Sequence, residues 1–308
     1  MNIPHIPVLL EEVKKVFSTV SEGVIIDCTL GYGGHSEVLL EQNPTIKLIG
    51  CDQDEEALAF SKKRLERFGE RVIFHHGNFS SVIAQYAHLP IRGILADIGV
   101  SSLQLDKKER GFAFDSEVLD MRMNPHNTLS AYEVVNHYSQ EQLEFIFREY
   151  GEIHAYQKMA QLICEARLKA PITSAKELSR IAQKVPGKKS IHPSTLLFQA
   201  IRIEVNNELG VLTQLLESIS KAEFTQCIVG IISFHSLEDR IVKQTFKLWS
   251  QNCICPPHVM RCMCGNNHAL GKIISKKPIE ATSSELKKNP RSRSARLRVF
   301  EIRGKDGR

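Results

Sequence analysis

The chain has 308 residues, 42% of them apolar and 24% charged. That suits one large or two modest globular domains with a sizeable core, and excludes collagen-like, coiled-coil and wholly disordered chains. The formal net charge of +5 is uneven, with 12 Lys and Arg against 4 Asp and Glu over 271–308 and a balance of −3 over the first 270 residues. A basic end on a mildly acidic body points to a polyanionic partner. The N-terminus, Met1-Asn2-Ile3-Pro4-His5, has no basic start followed by an apolar run, and no segment nears the roughly 18 apolar residues of a membrane span. A soluble, cytoplasmic protein with no membrane partner is expected.

Brief apolar runs predict strands at Val24–Cys28, at Lys47–Cys51 ending on Asp52, at Val72–Phe74 and at Ile91–Ala96 ending on Asp97. Between them, Ser36–Gln42 and Glu55–Phe68 carry apolar residues at helical spacing. Strand and helix in alternation predict an α/β fold with a parallel sheet covered on both faces. From about Gln104 to Thr225 the pattern is helical: Gln140–Tyr150, His154–Leu168, Ser174–Lys184, with Ser174 and Glu177 spaced as a capping box, and Pro193–Leu216. A fifth strand is predicted at Cys227–Phe234, and Gly271–Ser275 with Arg296–Ile302 read as an antiparallel pair at one sheet edge. The expected domains are therefore 1–118 with 206–308, and a helical insertion over 119–205. Cys28, Cys51, Cys164 and Cys227 stand singly in apolar segments, as small buried hydrophobes.

The first strand runs into Gly31-Tyr32-Gly33-Gly34-His35-Ser36, and the second ends at Asp52. Glycines past a strand permit positive φ and close approach of backbone N–H groups to a ligand, and a carboxylate at the next strand end suits a ribose diol. Together they point to an adenosine-containing cofactor. Ser36 stands where the dinucleotide fingerprint needs its third Gly, so S-adenosylmethionine fits better than NAD. Phe79, after the third strand, is a candidate for the adenine, and Asp97 lies where a methyl group would be delivered. An NAD-dependent oxidoreductase and an RNA-binding scaffold with a vestigial cofactor fold are the competing readings.

Motifs in order along the whole chain resemble the bacterial small-subunit ribosomal RNA (cytidine-N4) methyltransferases, the RsmH or MraW family. They are His5–Leu10, Gly31–His35, Asp97–Ser102 with Gln104-Leu105-Asp106, Arg110-Gly111-Phe112, Leu119–Met123, Phe198–Ile203 with Asn206, Ser233–Arg240 and Asn289–Ser294. The resemblance implies a Rossmann-like S-adenosylmethionine-dependent methyltransferase sheet with an inserted helical domain for substrate recognition. It implies methylation of the exocyclic amine of a cytidine in the decoding region of 16S rRNA. It also implies cofactor contacts from Gly33, Gly34, His35, Asp52, Phe79, Asp97 and Gln104. Expected partners are 16S rRNA within the small ribosomal subunit and a second copy of the chain in a homodimer. Many amine methyltransferases carry an Asp/Asn-Pro-Pro-Tyr turn after the fourth strand, where this chain has Asp97-Ile98-Gly99-Val100. The groups expected to hold the base are Asp97 as acceptor, with Ser233 and His235 at the fifth strand end.

Ser233, His235 and Asp239 also invite a hydrolase reading, but the run lacks the G-x-S-x-G elbow and triads are assembled in space. Cys253, Cys255, Cys262 and Cys264 form two pairs that suit either a structural zinc ion or reducible thiols in a loop. Each pair is closer than the usual C-x₂₋₄-C, and the family does not require the cluster. Arg291, Arg293 and Arg296, spaced by small residues, are expected to contact RNA phosphates.

Overall fold

The computed structural model describes residues 6–186, 192–256, 258–259 and 261–304. The N-terminal reading over 1–5, with His5 of the first motif, lies outside the described residues. Val- and Ile-rich runs form the strands β1 (Gly23–Asp27), β2 (Ile46–Asp52), β3 (Val72–His76), β4 (Ile91–Asp97), β5 (Gln226–Ser233), β6 (Gly271–Ile273), β7 (Ile279–Glu280) and β8 (Arg296–Arg303). They make a single sheet in the order β3-β2-β1-β4-β5-β8-β6, with β7 also paired to β8. The first five strands in sequence are mutually parallel, and β8 runs antiparallel to β5, β6 and β7. The α/β expectation and the antiparallel pair at the edge are borne out.

Both faces of the sheet are buried, because alternate strand residues point opposite ways. Ile25, Leu48, Leu95 and Leu297 pack on one side with Val13, Phe17 and Leu39. Ile26, Ile49, Ile94 and Val229 pack on the other with Leu212, Leu215, Phe246 and Trp249. The chain proceeds outward from β1 to β3 on one side and from β4 to β5 on the other. The order therefore reverses between β1 and β4, a switch point at whose carboxyl ends sheets of this kind bind ligands.

The chain divides into two compact units, Met1–Gly99 with Val211–Arg308, and Val100–Gly210. The sequence placed the divisions at 118/119 and 205/206. The difference at the first arises because Phe112 already belongs to the core of the second unit, with Leu119, Met121, Phe147 and Ile201. Within that unit the Asn206 carboxamide accepts from Met123 N at 2.8 Å and donates to Met121 O at 2.9 Å. Met121 has φ +59. The motif residues Leu119–Met123 and Asn206 thus clamp one another.

Several elements differ from expectation. The helix Glu55–Leu65 gives way to a 3-10 stretch over Glu66–Arg71 with Gly69 at φ +54. The span Pro193–Leu216 is two helices, Pro193–Asn206 and Glu208–Lys221, broken by Asn207 in the left-handed region at φ +48. Ser174 caps Glu177 N at 3.1 Å, but Glu177 reaches Thr173 N, so half of the capping box forms. The short helix Ala131–His137 and the two-residue β7 carry too little pattern to be read from sequence. Cys28, Cys51 and Cys227 are buried, whereas Cys164 is half-buried. Among the described residues no helix is long and apolar enough to cross a membrane.

Candidate active site

The turn after β1 is held from beneath. Asp27, buried at the strand end, accepts from Thr29 N at 3.2 Å and from Ser36 Oγ at 2.6 Å. Gly31 and Gly33 have φ of +50 and +73, which glycine adopts without strain. Gly34 opens the helix Gly34–Gln42, and a side chain there would collide with the Pro7 ring. At Gly31 a side chain would meet only the Thr29 carbonyl, so the turn is open on that side. Asp52 at the end of β2 accepts from Gly31 N at 2.7 Å and from Asp54 N at 2.9 Å.

His35 lies on the first turn of that helix, buried. Its Nε2 is 2.8 Å from Val8 O, and its Nδ1 is 4.0 Å from Asp97 Oδ2. A carbonyl only accepts, so the ring proton sits on Nε2. Asp97 at the end of β4 is fixed by its own N–H donating to Thr29 Oγ1 at 2.7 Å. Thr29 and the N-terminal strap of Pro7 and Val8 are structural supports of this site that sequence reasoning missed. The strap is itself pinned, since Leu9 N donates to Glu285 Oε1 at 2.6 Å and Asn289 Nδ2 donates to Ile6 O at 3.0 Å.

The charges around this turn are out of balance. Desolvation raises both Asp27 and Asp52 to about 6. Burial, then repulsion from Asp27 and Glu238, holds Asp97 well above the usual carboxylate range. Burial lowers His35 to about 4, so it is neutral and offers no counter-charge. Asp97 Oδ1 is buried with no hydrogen-bond partner. Such a set accommodates a cation and repels a pyrophosphate. S-adenosylmethionine, with a sulfonium and a ribose, meets both the missing charge and the free acceptors, so these residues fit that group and disfavour NAD.

At the end of β5 the side chains of Ser233 and Asp239 have partners of their own. Ser233 is buried, and its Oγ donates to the Arg296 carbonyl at 3.5 Å, linking β5 to β8. Asp239 is taken by Arg298 in a buried bidentate pair at 2.6 and 2.9 Å. No relay of Ser233, His235 and Asp239 exists, so the hydrolase reading falls. His235 is the N-cap of the helix Ser236–Trp249: its Nδ1 is 3.5 Å from Glu238 N, and Glu238 Oε2 accepts from His235 N at 3.3 Å. Its Nε2 lies 3.0 Å from Glu238 Oε1 yet lacks the alignment of a hydrogen bond. Phe234 is a further residue that sequence reasoning missed. Its Cδ2 lies 3.2 Å from where a side chain of Gly99 would begin, and Gly99 has φ +131.

Phe79 is half-buried and packs against the core on one face of the sheet. Gln104 belongs to the second unit, where it is buried and its Oε1 accepts from Ser101 N at 3.0 Å. The basic segment is folded rather than a free tail. Pro290–Ser294 forms a 3-10 turn with Asn289 and Ser292 buried, while Arg291, Arg293 and Arg296 are exposed. Arg296 Nε also lies 3.5 Å from Glu280 Oε1. The four cysteines at 253–264 gather in the loop before β6.

Curated relatives match essentially end to end. A ribosomal RNA small subunit methyltransferase H of Aliarcobacter butzleri is 62% identical over 302 residues, covering 98% of this chain and 100% of that one. Proteins of the same name from a Sulfurovum species and from Wolinella succinogenes are 58% and 57% identical, each across 98% of this chain and 99% and 100% of their own lengths. A family model described as the MraW methylase family matches residues 2–303, and the chain belongs to that family.

Proposed function

We propose that this chain transfers the methyl group of S-adenosylmethionine to the exocyclic N4 amine of a cytidine in the decoding region of 16S rRNA. The observation that carries the reading is the group of raised carboxyls, Asp27, Asp52 and Asp97, around a Gly-rich turn at the sheet's switch point, where the nearby Arg64 guanidinium is itself paired with Glu37. The bound cofactor would supply an electrophilic methyl on a positively charged sulfur. Asp52 would accept from the ribose diol, and Gly33, Gly34 and His35 would line the turn. Phe79 would face the adenine, and Gln104 would be a further cofactor contact.

A cytosine amine is a weak nucleophile because its lone pair is delocalised into the ring, so the enzyme has to orient it and accept its hydrogens. Asp97 is the acceptor in this reading, through the oxygen that has no partner of its own. His235 keeps a place because its Nε2 is also buried without an aligned partner, at the end of the neighbouring strand. Phe234, against the Gly99 turn, offers the aromatic surface that the Asp97-Ile98-Gly99-Val100 segment lacks. The target base has to leave its stack to reach such a site.

Arg291, Arg293 and Arg296 would contact phosphates, and the helical unit over 100–210 would select the substrate. The assembled small subunit as substrate, a cytoplasmic setting and a homodimer complete the reading. Calorimetric titration tests the cofactor assignment: S-adenosylmethionine should bind and NAD should not. Binding of NAD alone would reverse it, and sedimentation of the purified chain tests the homodimer.

A further inference from the structure

Among the described residues of the loop between the helix Ser236–Trp249 and β6, no side chain is buried. Ile254 and Met263, the central residues of the two cysteine pairs, are 58% and 86% exposed. The loop is nevertheless ordered about its cysteines. The Sγ atoms of Cys253, Cys255, Cys262 and Cys264 all lie within 4.8 Å of one another. Cys253 to Cys262 is 3.6 Å, Cys262 to Cys264 is 3.5 Å and Cys264 to Cys253 is 3.8 Å.

Those separations select among the chemistries open to four thiols. A disulfide needs about 2.05 Å between sulfurs, and all four cysteines are free. Four thiolates placed about 2.3 Å from one tetrahedral ion stand roughly 3.8 Å apart, which is the spacing found. A two-iron cluster would spread its thiolates over two metals, wider than a 4.8 Å envelope allows.

The backbone gives an independent indication. Ile254 N donates to Cys264 Sγ at 3.4 Å, and Met263 N donates to Cys255 Sγ at 3.3 Å. The middle residue of each pair thus donates to the last sulfur of the other pair, which fixes the two pairs against each other across the loop. Gly265 and Asn266 follow at φ +86 and +54 and turn the chain away. The loop closes at its base through His268 N to Asn252 O at 3.0 Å and Leu270 N to Trp249 O at 2.7 Å.

We propose that Cys253, Cys255, Cys262 and Cys264 bind one structural Zn²⁺ that fixes this loop against the end of the helix and β6. The one-residue spacing of each pair is no obstacle, because the tetrahedron is completed between the pairs. All four positions are filled by thiolate, so the ion has no open site for chemistry and its role is structural.

The test is made on the full chain, expressed with zinc present and purified without chelator. Elemental analysis should find about one zinc per chain, and Cys264→Ser together with Cys253→Ser should bring it below a tenth of that. Cobalt exchanged into the wild-type site should give thiolate-to-metal charge transfer with the intensity of tetrahedral coordination. A native thiol titration should leave these four sulfurs unreactive until a chelator is added. Zinc near zero with four freely reactive thiols would overturn the proposal, and so would stoichiometric iron. The wild-type cobalt spectrum decides the matter even if the double variant folds poorly.

Discussion

His35 gives its ring proton to the Val8 carbonyl, at 2.8 Å, and turns a bare Nδ1 towards Asp97, whose Oδ2 is 4.0 Å away. The geometry looks like an ion pair, but burial holds His35 at about 4, so the imidazole is neutral near pH 7 and carries no charge to pair with Asp97, which burial holds well above the usual carboxylate range. The imidazole therefore works as a strut. It joins the N-terminal strap to the glycine turn and sets one wall of the pocket beside the acceptor carboxyl.

Replacing His35 with Phe keeps a ring of similar size but leaves the Val8 carbonyl without its donor. The loss of a buried hydrogen bond should lower unfolding stability by ~1–3 kcal/mol, read as a reduced urea midpoint. An unchanged midpoint would show that the strap does not depend on this hydrogen bond.

Asp52 sets the pH dependence of cofactor affinity. Its pKa of about 6 is above the ordinary carboxylate value because of burial. The free folded chain holds that proton more tightly than the unfolded chain, so apo stability declines as pH rises through the interval from the ordinary value to about 6. A cationic cofactor with a ribose diol prefers the ionised form, so its affinity should be full above neutrality and weaken as pH falls through 6. Asp52→Asn should weaken binding about 10- to 100-fold and flatten the profile. A calorimetric Kd independent of pH between 5 and 8 in the wild-type chain would count against the carboxylate's role.

Asp97 and Ser233 should separate cleanly. Asp97→Asn replaces the proposed carboxylate acceptor with a weaker, non-basic amide and should slow methyl transfer at saturating cofactor by about 100-fold or more. Ser233 instead reaches the Arg296 carbonyl, so Ser233→Ala should retain a rate within about tenfold of wild type. Equal losses in single-turnover assays would restore Ser233 to the reacting centre.

Replacing Arg291, Arg293 and Arg296 together with Gln should weaken binding to a small-subunit RNA fragment. The slope of log affinity against log salt should become shallower by about 0.7–0.9 for each phosphate that is no longer neutralised. Fluorescence anisotropy across a salt series measures it. A parallel slope would mean that these side chains do not meet phosphate.

What the sequence made legible follows from how local each demand is. The glycines of 31–34 and the carboxylate of Asp52 answer requirements met within one turn and one strand end, and both stand where the pattern placed them. The His35–Val8 hydrogen bond joins separate segments, and nothing in either segment alone signals it. For Ser233, a strand end marks a position but not the direction of its hydroxyl. His235 and Glu238 carry the spacing of a capping box, a signal obscured because His takes the place usually held by Ser or Thr. Charge density misled near the end of the chain: Arg298 alternates with Leu297 and Val299 in β8, yet it is buried against Asp239.

The most direct measurement incubates the purified chain and methyl-labelled S-adenosylmethionine with unmodified small ribosomal subunits, then digests the RNA and identifies the labelled nucleoside by mass spectrometry. The label is expected in N4-methylcytidine from a decoding-region fragment of 16S rRNA, and Asp97→Asn should abolish it. Label on the cytosine ring carbon, on another nucleoside or on protein, or full labelling by the Asp97 variant, would contradict the assignment of Asp97 as the group that receives the cytidine amine.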